Sequence, residues 1–329
     1  MTSTSAPADY RAILEPASTA VVRTALELGI FRLLSRDART PAQVAALTSA
    51  SLRGIERLLP AMWDGGLLTR VGEEYSLAPA ARSFALLEGD DVIRDFAGIG
   101  HPFDAIWASF GDVVRRGGPS DALDTEQFFA DMVPGLERLH RPLAAAAAAE
   151  LGVPALRRGA RVLDVACGSA VWSRAIAAAD PSSRVTAQDL PAVLERAQTA
   201  IGDAGLVRQY AYLPGSLEAI DLGAAEYDVV IVAHILHLLS ERACGDLVAR
   251  ARAALKPGGV LMIVEFVGDA ERRGPRFALL FALLMLLLSP NGDVWTFGHL
   301  REWASAAGLT AFRSYKDQAS EATLVFCSE

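Results

Sequence analysis

Lysine is almost missing from this chain. Lys256 and Lys316 are the only two, although lysine and arginine together number 31 of 329 residues. Arginine therefore carries the positive charge, a compositional bias with no functional reading. There is no basic run, and the formal net charge is −8. An acidic chain of this kind offers little to the phosphates of nucleic acid or to an anionic membrane. Cysteine is scarce and odd in number. Cys167, Cys244 and Cys327 stand far apart with no CxxC pair, which speaks against a zinc knuckle or a disulfide framework. The opening "MTSTSAPADY" lacks the charged-then-apolar pattern of a secretory leader. The most hydrophobic segment, "FALLFALLMLLL" at 277–288, would span only about 18 Å as a helix, short of the roughly 30 Å bilayer core. It reads as a buried helix or the wall of an apolar pocket. These absences describe a soluble, cytoplasmic protein with neither nucleic acid nor membrane as partner.

What is present divides into parts with different grammar. Residues 1–95 read as helices followed by a small hairpin, the order of a winged helix. "TAVVRTALELGIFRLL" has helical apolar spacing with Gly29 near a break, and Thr40 and Pro41 open a second helix as N-cap and first residue. A third helix ends at Gly65 and Gly66, before the strand–turn–strand "LLTRVGEEYSLAP". The helix in the recognition position offers only Arg53 and Arg57, so dimerisation explains the apolar faces of these helices better than DNA binding. Residues 96–155 read as a helical connector rich in aromatics. From residue 156 onward, apolar strands ("RVLDVA", "RVTAQD", "YDVVIVA", "GVLMIVEF") alternate with helices. The expected fold class is α/β, a Rossmann-like, doubly wound, mostly parallel sheet following a mainly helical N-terminal domain.

In such a sheet ligands lie beyond the carboxyl ends of the strands. The first strand runs into "DVACGSA", Asp164 to Ala170. A strand-to-helix turn brings backbone N–H groups and a helix N-terminus close to a ligand. Only one glycine of a three-glycine pattern stands here, Gly168, flanked by Ala166 and Ala170. Asp189 ends the next strand 21 residues later, where an acid grips ribose hydroxyls in Rossmann-like sheets. Further on, "VVIVAHILHLLS" sets His234 and His237, two of five histidines, just past a strand in an apolar run. A neutral imidazole, with an ordinary pKa near 6.5, accepts a proton at physiological pH.

The ordered set "VLDVACGSAVWSRAIAAADPSSRVTAQDLPAVLERA", "LPGSLEAIDL", "YDVVIVAHILHLL" and "KPGGVLMIVEF" resembles the class I S-adenosylmethionine-dependent small-molecule O-methyltransferases, which also carry an N-terminal winged-helix dimerisation domain. The resemblance covers nearly the whole chain. It implies a homodimer that transfers a methyl group from S-adenosyl-L-methionine to a hydroxyl of a hydrophobic secondary metabolite, phenolic or polyketide-like, and releases S-adenosyl-L-homocysteine. It implies that Asp164, Ala166, Gly168, Asp189, Leu190, Ser216, Leu217 and His234 face the cofactor, and that His237 is the general base with Glu265 fixing its tautomer. Phe128, Phe129, Met132 and Met285 fall where relatives line the acceptor pocket. No metal is implied.

The sequence also departs from the family pattern. Ser216 stands where an acid usually meets the adenine amine. Leu238 and Leu239 follow His237 in place of an acid and a tryptophan, Val294 stands where a second supporting acid is expected, with Asp293 beside it, and Ala233 replaces a common lysine. Relatives have turned the same fold to C-methylation or to cyclisation and rearrangement with the cofactor retained. Those readings stay open at this point, as do a ligand-sensing transcriptional regulator and, more distantly, a nicotinamide dehydrogenase.

Overall fold

The computed structural model describes residues 17–82, 107–119, 125–317 and 321–329. The chain forms two compact units, residues 1–103 and 104–329.

In the first unit, helices α1 (Ala17–Glu27) and α2 (Ile30–Arg36) are separated by Gly29, whose φ of 65° needs no Cβ to be tolerated. Helix α3 (Pro41–Thr48) opens with a capping box: Thr40 Oγ1 accepts from the Gln43 N–H, and the Gln43 side chain accepts from the Thr40 N–H. Helix α4 (Leu52–Asp64) is capped by Ser51. Strands β1 (Leu68–Val71) and β2 (Glu74–Leu77) close the unit as an antiparallel hairpin. Ile30, Phe31, Leu34, Ile55, Leu59 and Met62 fill its core.

The second unit begins with α5 (Phe110–Arg116) and the long α6 (Thr125–Glu150). Then come β3 (Arg161–Val165), α7 (Val171–Ala179), β4 (Arg184–Asp189), α8 (Pro191–Asp203), β5 (Tyr210–Pro214) and β6 (Tyr227–Ala233). These are followed by α9 (Glu241–Ala254), β7 (Leu255–Phe266), α10 (Arg276–Leu288), α11 (Phe297–Ala306), β8 (Ala311–Lys316) and β9 (Ala322–Ser328). The seven strands form one sheet in the order β5-β4-β3-β6-β7-β9-β8. Pairing is parallel from β5 across to β7, and β9 runs antiparallel to both its neighbours.

The parallel strands are continuous apolar runs because helices cover both their faces. On one face, α6 and α7 pack Leu143, Ala147, Trp172 and Ile176 against Val162, Val229 and Met262. On the other, α9 and α11 pack Leu247, Val248, Leu300 and Trp303 against Leu163, Val230 and Leu261. Chain order reverses at β3, whose neighbours are β4 and β6, so a crevice opens at the carboxyl ends of these strands. The described residues contain no helix long and apolar enough to cross a membrane.

Candidate active site

The turn from β3 into α7 carries an alternating backbone. Ala166, Gly168 and Ala170 all take left-handed φ values, 51°, 57° and 57°. Two of them are alanines, which pay about 1–2 kcal/mol for that conformation. A strained backbone of this kind persists where the surroundings fix it, and such places are commonly functional. The fixing partners come from β4. Gln188 Oε1 accepts the Ala166 N–H (3.1 Å), and the Gln188 carbonyl accepts the Cys167 N–H (2.9 Å). Asp189 Oδ2 accepts the Gly168 N–H (2.8 Å), and its Oδ1 accepts the Leu190 N–H (2.8 Å). Both carboxylate oxygens are thus oriented by backbone. Helix α6 closes over the turn: Val133 clusters with Val193 and Leu190, and a Cβ on Gly168 would meet Val133.

Beneath the turn lies Asp164, 0% exposed, with the Ser173 hydroxyl and N–H as its neighbouring donors and no cation beside it among the described residues. Burial pushes its carboxyl up to about 7, and the nearby Asp189 charge adds to the rise. An isolated buried carboxylate is costly, and a cationic group arriving beside it would relieve that cost.

Opposite, the chain leaves β6 through a 3₁₀ turn, Leu236–Leu238. His237 is 7% exposed and Glu265, near the end of β7, is 2% exposed. His237 Nδ1 meets Glu265 Oε2 at 2.8 Å. Glu265 Oε1 accepts the N–H groups of Leu236 (2.9 Å) and His237 (3.4 Å), and Oε2 also accepts that of Phe266 (3.2 Å). A carboxylate surrounded by donors accepts from Nδ1–H, so the lone pair of the imidazole sits on Nε2. His234, His237 and Glu265 bring potential ligand atoms within 4.8 Å of one another. The carboxylate, however, already spends its lone pairs on three N–H groups and an imidazole, which describes a proton-handling pair better than a cation cage.

The turn that carries His237 is anchored from behind. Trp295 Nε1–H donates to the Leu236 carbonyl (2.8 Å), and Ser289 Oγ donates to the Leu238 carbonyl (2.7 Å). Ser289 Oγ also accepts the Gly292 N–H (2.9 Å). Gly292 comes so close that a Cβ there would collide with the His237 carbonyl oxygen. Asp293, beside the expected acid position, instead pairs with Arg272.

An aromatic wall surrounds the pair. Phe281 meets His237 edge-on at 4.9 Å, and Phe266 packs on Phe281 (4.7 Å) and Phe277 (4.8 Å). His234, with φ 54°, lies between His140 of α6 (4.4 Å, 10° between planes) and Phe266 (4.7 Å). Trp172 flanks both imidazoles. Burial lowers His140 to about 4, and burial together with the neighbouring histidines holds His234 well below the ordinary imidazole range.

The O-methyltransferase domain family matches residues 132–310, and the O-methyltransferase dimerisation domain family matches residues 12–86. The chain belongs to the O-methyltransferase family. It is an S-adenosylmethionine-dependent methyltransferase. It is 27% identical over 300 residues to the tetracenomycin polyketide synthesis 8-O-methyl transferase TcmO of Streptomyces glaucescens, covering 88% of this chain and 87% of that protein. It is likewise 27% identical over 305 residues to the mitomycin biosynthesis 6-O-methyltransferase of Streptomyces lavendulae, covering 89% and 86%. Its fold matches human N-acetylserotonin methyltransferase, solved in complex with S-adenosylmethionine, with a TM-score of 0.75 at 24% identity over 100% of this chain and 99% of that one.

In this methyltransferase most of the sequence-selected residues lie at or just past the carboxyl ends of neighbouring strands. Asp164, Ala166, Gly168, Asp189 and Leu190 meet at the β3 and β4 ends, and His234, His237 and Glu265 meet at the β6 and β7 ends. Ser216 opens the turn after β5, where its carbonyl accepts from Ala219 and Ile220. Leu217 packs against the α9 side of the core, and its carbonyl accepts from Arg250 (2.5 Å). Met285 is buried on α10, the helix that supplies Phe277 and Phe281. Phe128, Phe129 and Met132 belong to α6, but their side chains lie outside the described residues. Sequence reading passed over His140, Gln188, Phe266 and the anchoring role of Trp295. Gln188 stands next to Asp189 and was within reach of the motif, whereas His140 carries no motif signal at all.

Proposed function

We propose that this enzyme methylates a hydroxyl of a flat, hydrophobic small molecule, phenolic or polyketide-like, and does so with His237 as general base. The observation that carries this reading is the buried His237–Glu265 pair at 2.8 Å. Glu265 holds the Nδ1 proton, and Nε2 takes the proton of the acceptor hydroxyl. Asp189 would hold the ribose hydroxyls. The buried Asp164 carboxylate, which has no counter-charge among the described residues, and the left-handed turn above it fit the cationic methionine end of the cofactor. Leu190, Ser216 and Leu217 would border the adenine. When bound, S-adenosylmethionine supplies a methyl group activated by its positive sulfur. The protein then has to align oxygen and methyl and keep water away, and the Phe266–Phe277–Phe281 wall with Met285 serves that end. The two Streptomyces relatives, which act in tetracenomycin polyketide synthesis and mitomycin biosynthesis, support a polyketide-like secondary-metabolite acceptor. The dimerisation-domain match supports a homodimer, acting in the cytoplasm.

The test uses methyl-labelled cofactor with a panel of hydroxylated naphthalenes and anthraquinones. Label is expected on oxygen of the product. Label on carbon, or no transfer to any member while the cofactor is bound, would overturn the proposal.

A further inference from the structure

His234 combines three features that packing alone does not require. It takes a left-handed backbone, φ 54°, where glycine or asparagine would sit at less cost. Both its ring nitrogens are buried without a hydrogen-bond partner, although buried polar atoms are almost always paired. And its ring is held in one plane, between His140 at 4.4 Å and Phe266 at 4.7 Å. The near-parallel stack, 10° between planes, rules out a proton relay from His234 to His140, because imidazoles exchange protons along the ring plane and not through the face. What the stack does achieve is direction. A ring that cannot swing presents its nitrogens along fixed lines, and a ring nitrogen of His234 lies within 4.8 Å of donor atoms of both His237 and Glu265.

We propose that His234, held in place by His140, selects the acceptor by hydrogen-bonding a second oxygen adjacent to the hydroxyl that His237 deprotonates. The inference rests on the O-methylation proposed above. The first oxygen is claimed by His237, so a partner for His234 must come from the neighbouring position on the same molecule. Adjacent ortho or peri oxygens on a flat ring sit about one hydrogen-bond length apart, about 2.7 Å. The His234 and His237 ring centroids lie 6.2 Å apart, so a pair of adjacent oxygens on one acceptor can address both rings. Burial keeps His234 and His140 uncharged. A neutral imidazole both donates and accepts, so it suits a hydroxyl or a carbonyl, and it does not repel a positively charged sulfur nearby. The acceptor class is therefore narrower than a phenol: an ortho-dihydroxy or peri-oxygenated aromatic or enol.

The experiment compares kcat/KM of the full-length enzyme for 2,3-dihydroxynaphthalene and 2-naphthol, which differ only in the neighbouring oxygen. The unsubstituted enzyme is expected to prefer the diol by about tenfold, the worth of one buried hydrogen bond, beyond the statistical advantage of a second hydroxyl. His234→Phe, which keeps the stack but loses both nitrogens, is expected to erase that preference by lowering kcat/KM for the diol more than for 2-naphthol. His234→Asn, suited to the same backbone and still polar, is expected to keep part of the preference. If His234→Phe does not fold, His234→Gly replaces it, since glycine tolerates the backbone. An unsubstituted enzyme that turns over both acceptors equally, or a His234 variant without nitrogens that still prefers the diol, overturns the selection role and leaves the O-methylation reading standing. Failure of the unsubstituted enzyme on both acceptors, with cofactor bound, counts against that reading and removes this one with it.

Discussion

A buried carboxylate with no counter-charge among the described residues makes Asp164 the most informative single residue on the cofactor side. Its carboxyl titrates near 7 in the fold against an ordinary 3.8. The folded protein therefore holds the proton more tightly than the unfolded chain, and stability falls as pH rises from about 4 to about 7. His140 and His234 act in the opposite sense, since a histidine kept neutral costs stability as pH falls below 6.5. The comparison must therefore be made against a variant that leaves both histidines in place. Without cofactor, Asp164→Asn is expected to unfold at higher urea than the unsubstituted protein. The gap should widen by about 3 kcal/mol between pH 5 and pH 8. The same variant should bind S-adenosylhomocysteine more weakly. A gap that does not change with pH would mean that burial does not raise the Asp164 carboxyl. Asp164, Asp189 and His237 were all legible in sequence because each sits at the end of a strand, where local pattern fixes the address. His140 was not, since it lies 94 positions before His234 inside a helix-forming, alanine-rich run and meets it only through the packing of α6 on the sheet.

At the scale of elements, the β6–α9 turn shows how the family's missing helpers are replaced. Leu238 and Leu239 stand where an acid and a tryptophan are common, yet the turn is not loose. Trp295 and Ser289 hold the carbonyls on either side of His237, and Gly292 allows the approach. Gly292→Ala is expected to push the turn outward and lower kcat by up to about 10²-fold, the cost of misplacing a base by about an ångström, with cofactor affinity preserved. Unchanged kcat would show that this backing does not position His237. The β3–α7 turn teaches a related lesson. Its glycines are mostly gone, but Ala166 and Ala170 still adopt the glycine-like backbone because Gln188 and Asp189 bind their neighbourhood. The residue pattern looked weak while the conformation was kept, since side chains on another strand decide it.

At the scale of the whole molecule, the alternation of strand and helix from β3 onward was readable from periodicity, because a doubly covered parallel sheet needs apolar strands and amphipathic helices. The antiparallel placement of β9 between β7 and β8 was not, since it depends on non-local pairing. The first unit has its own apolar core, and residues 12–86 match the O-methyltransferase dimerisation domain family. Sedimentation equilibrium is expected to give twice the chain mass, and a monomer at micromolar concentration would contradict that role.

His237→Ala tests the central chemical claim most directly, with turnover and S-adenosylhomocysteine affinity measured on the same preparation. A fall in kcat of about 10²–10⁴-fold at unchanged cofactor affinity is the expected result. Turnover equal to that of the unsubstituted enzyme would remove the imidazole from the reaction.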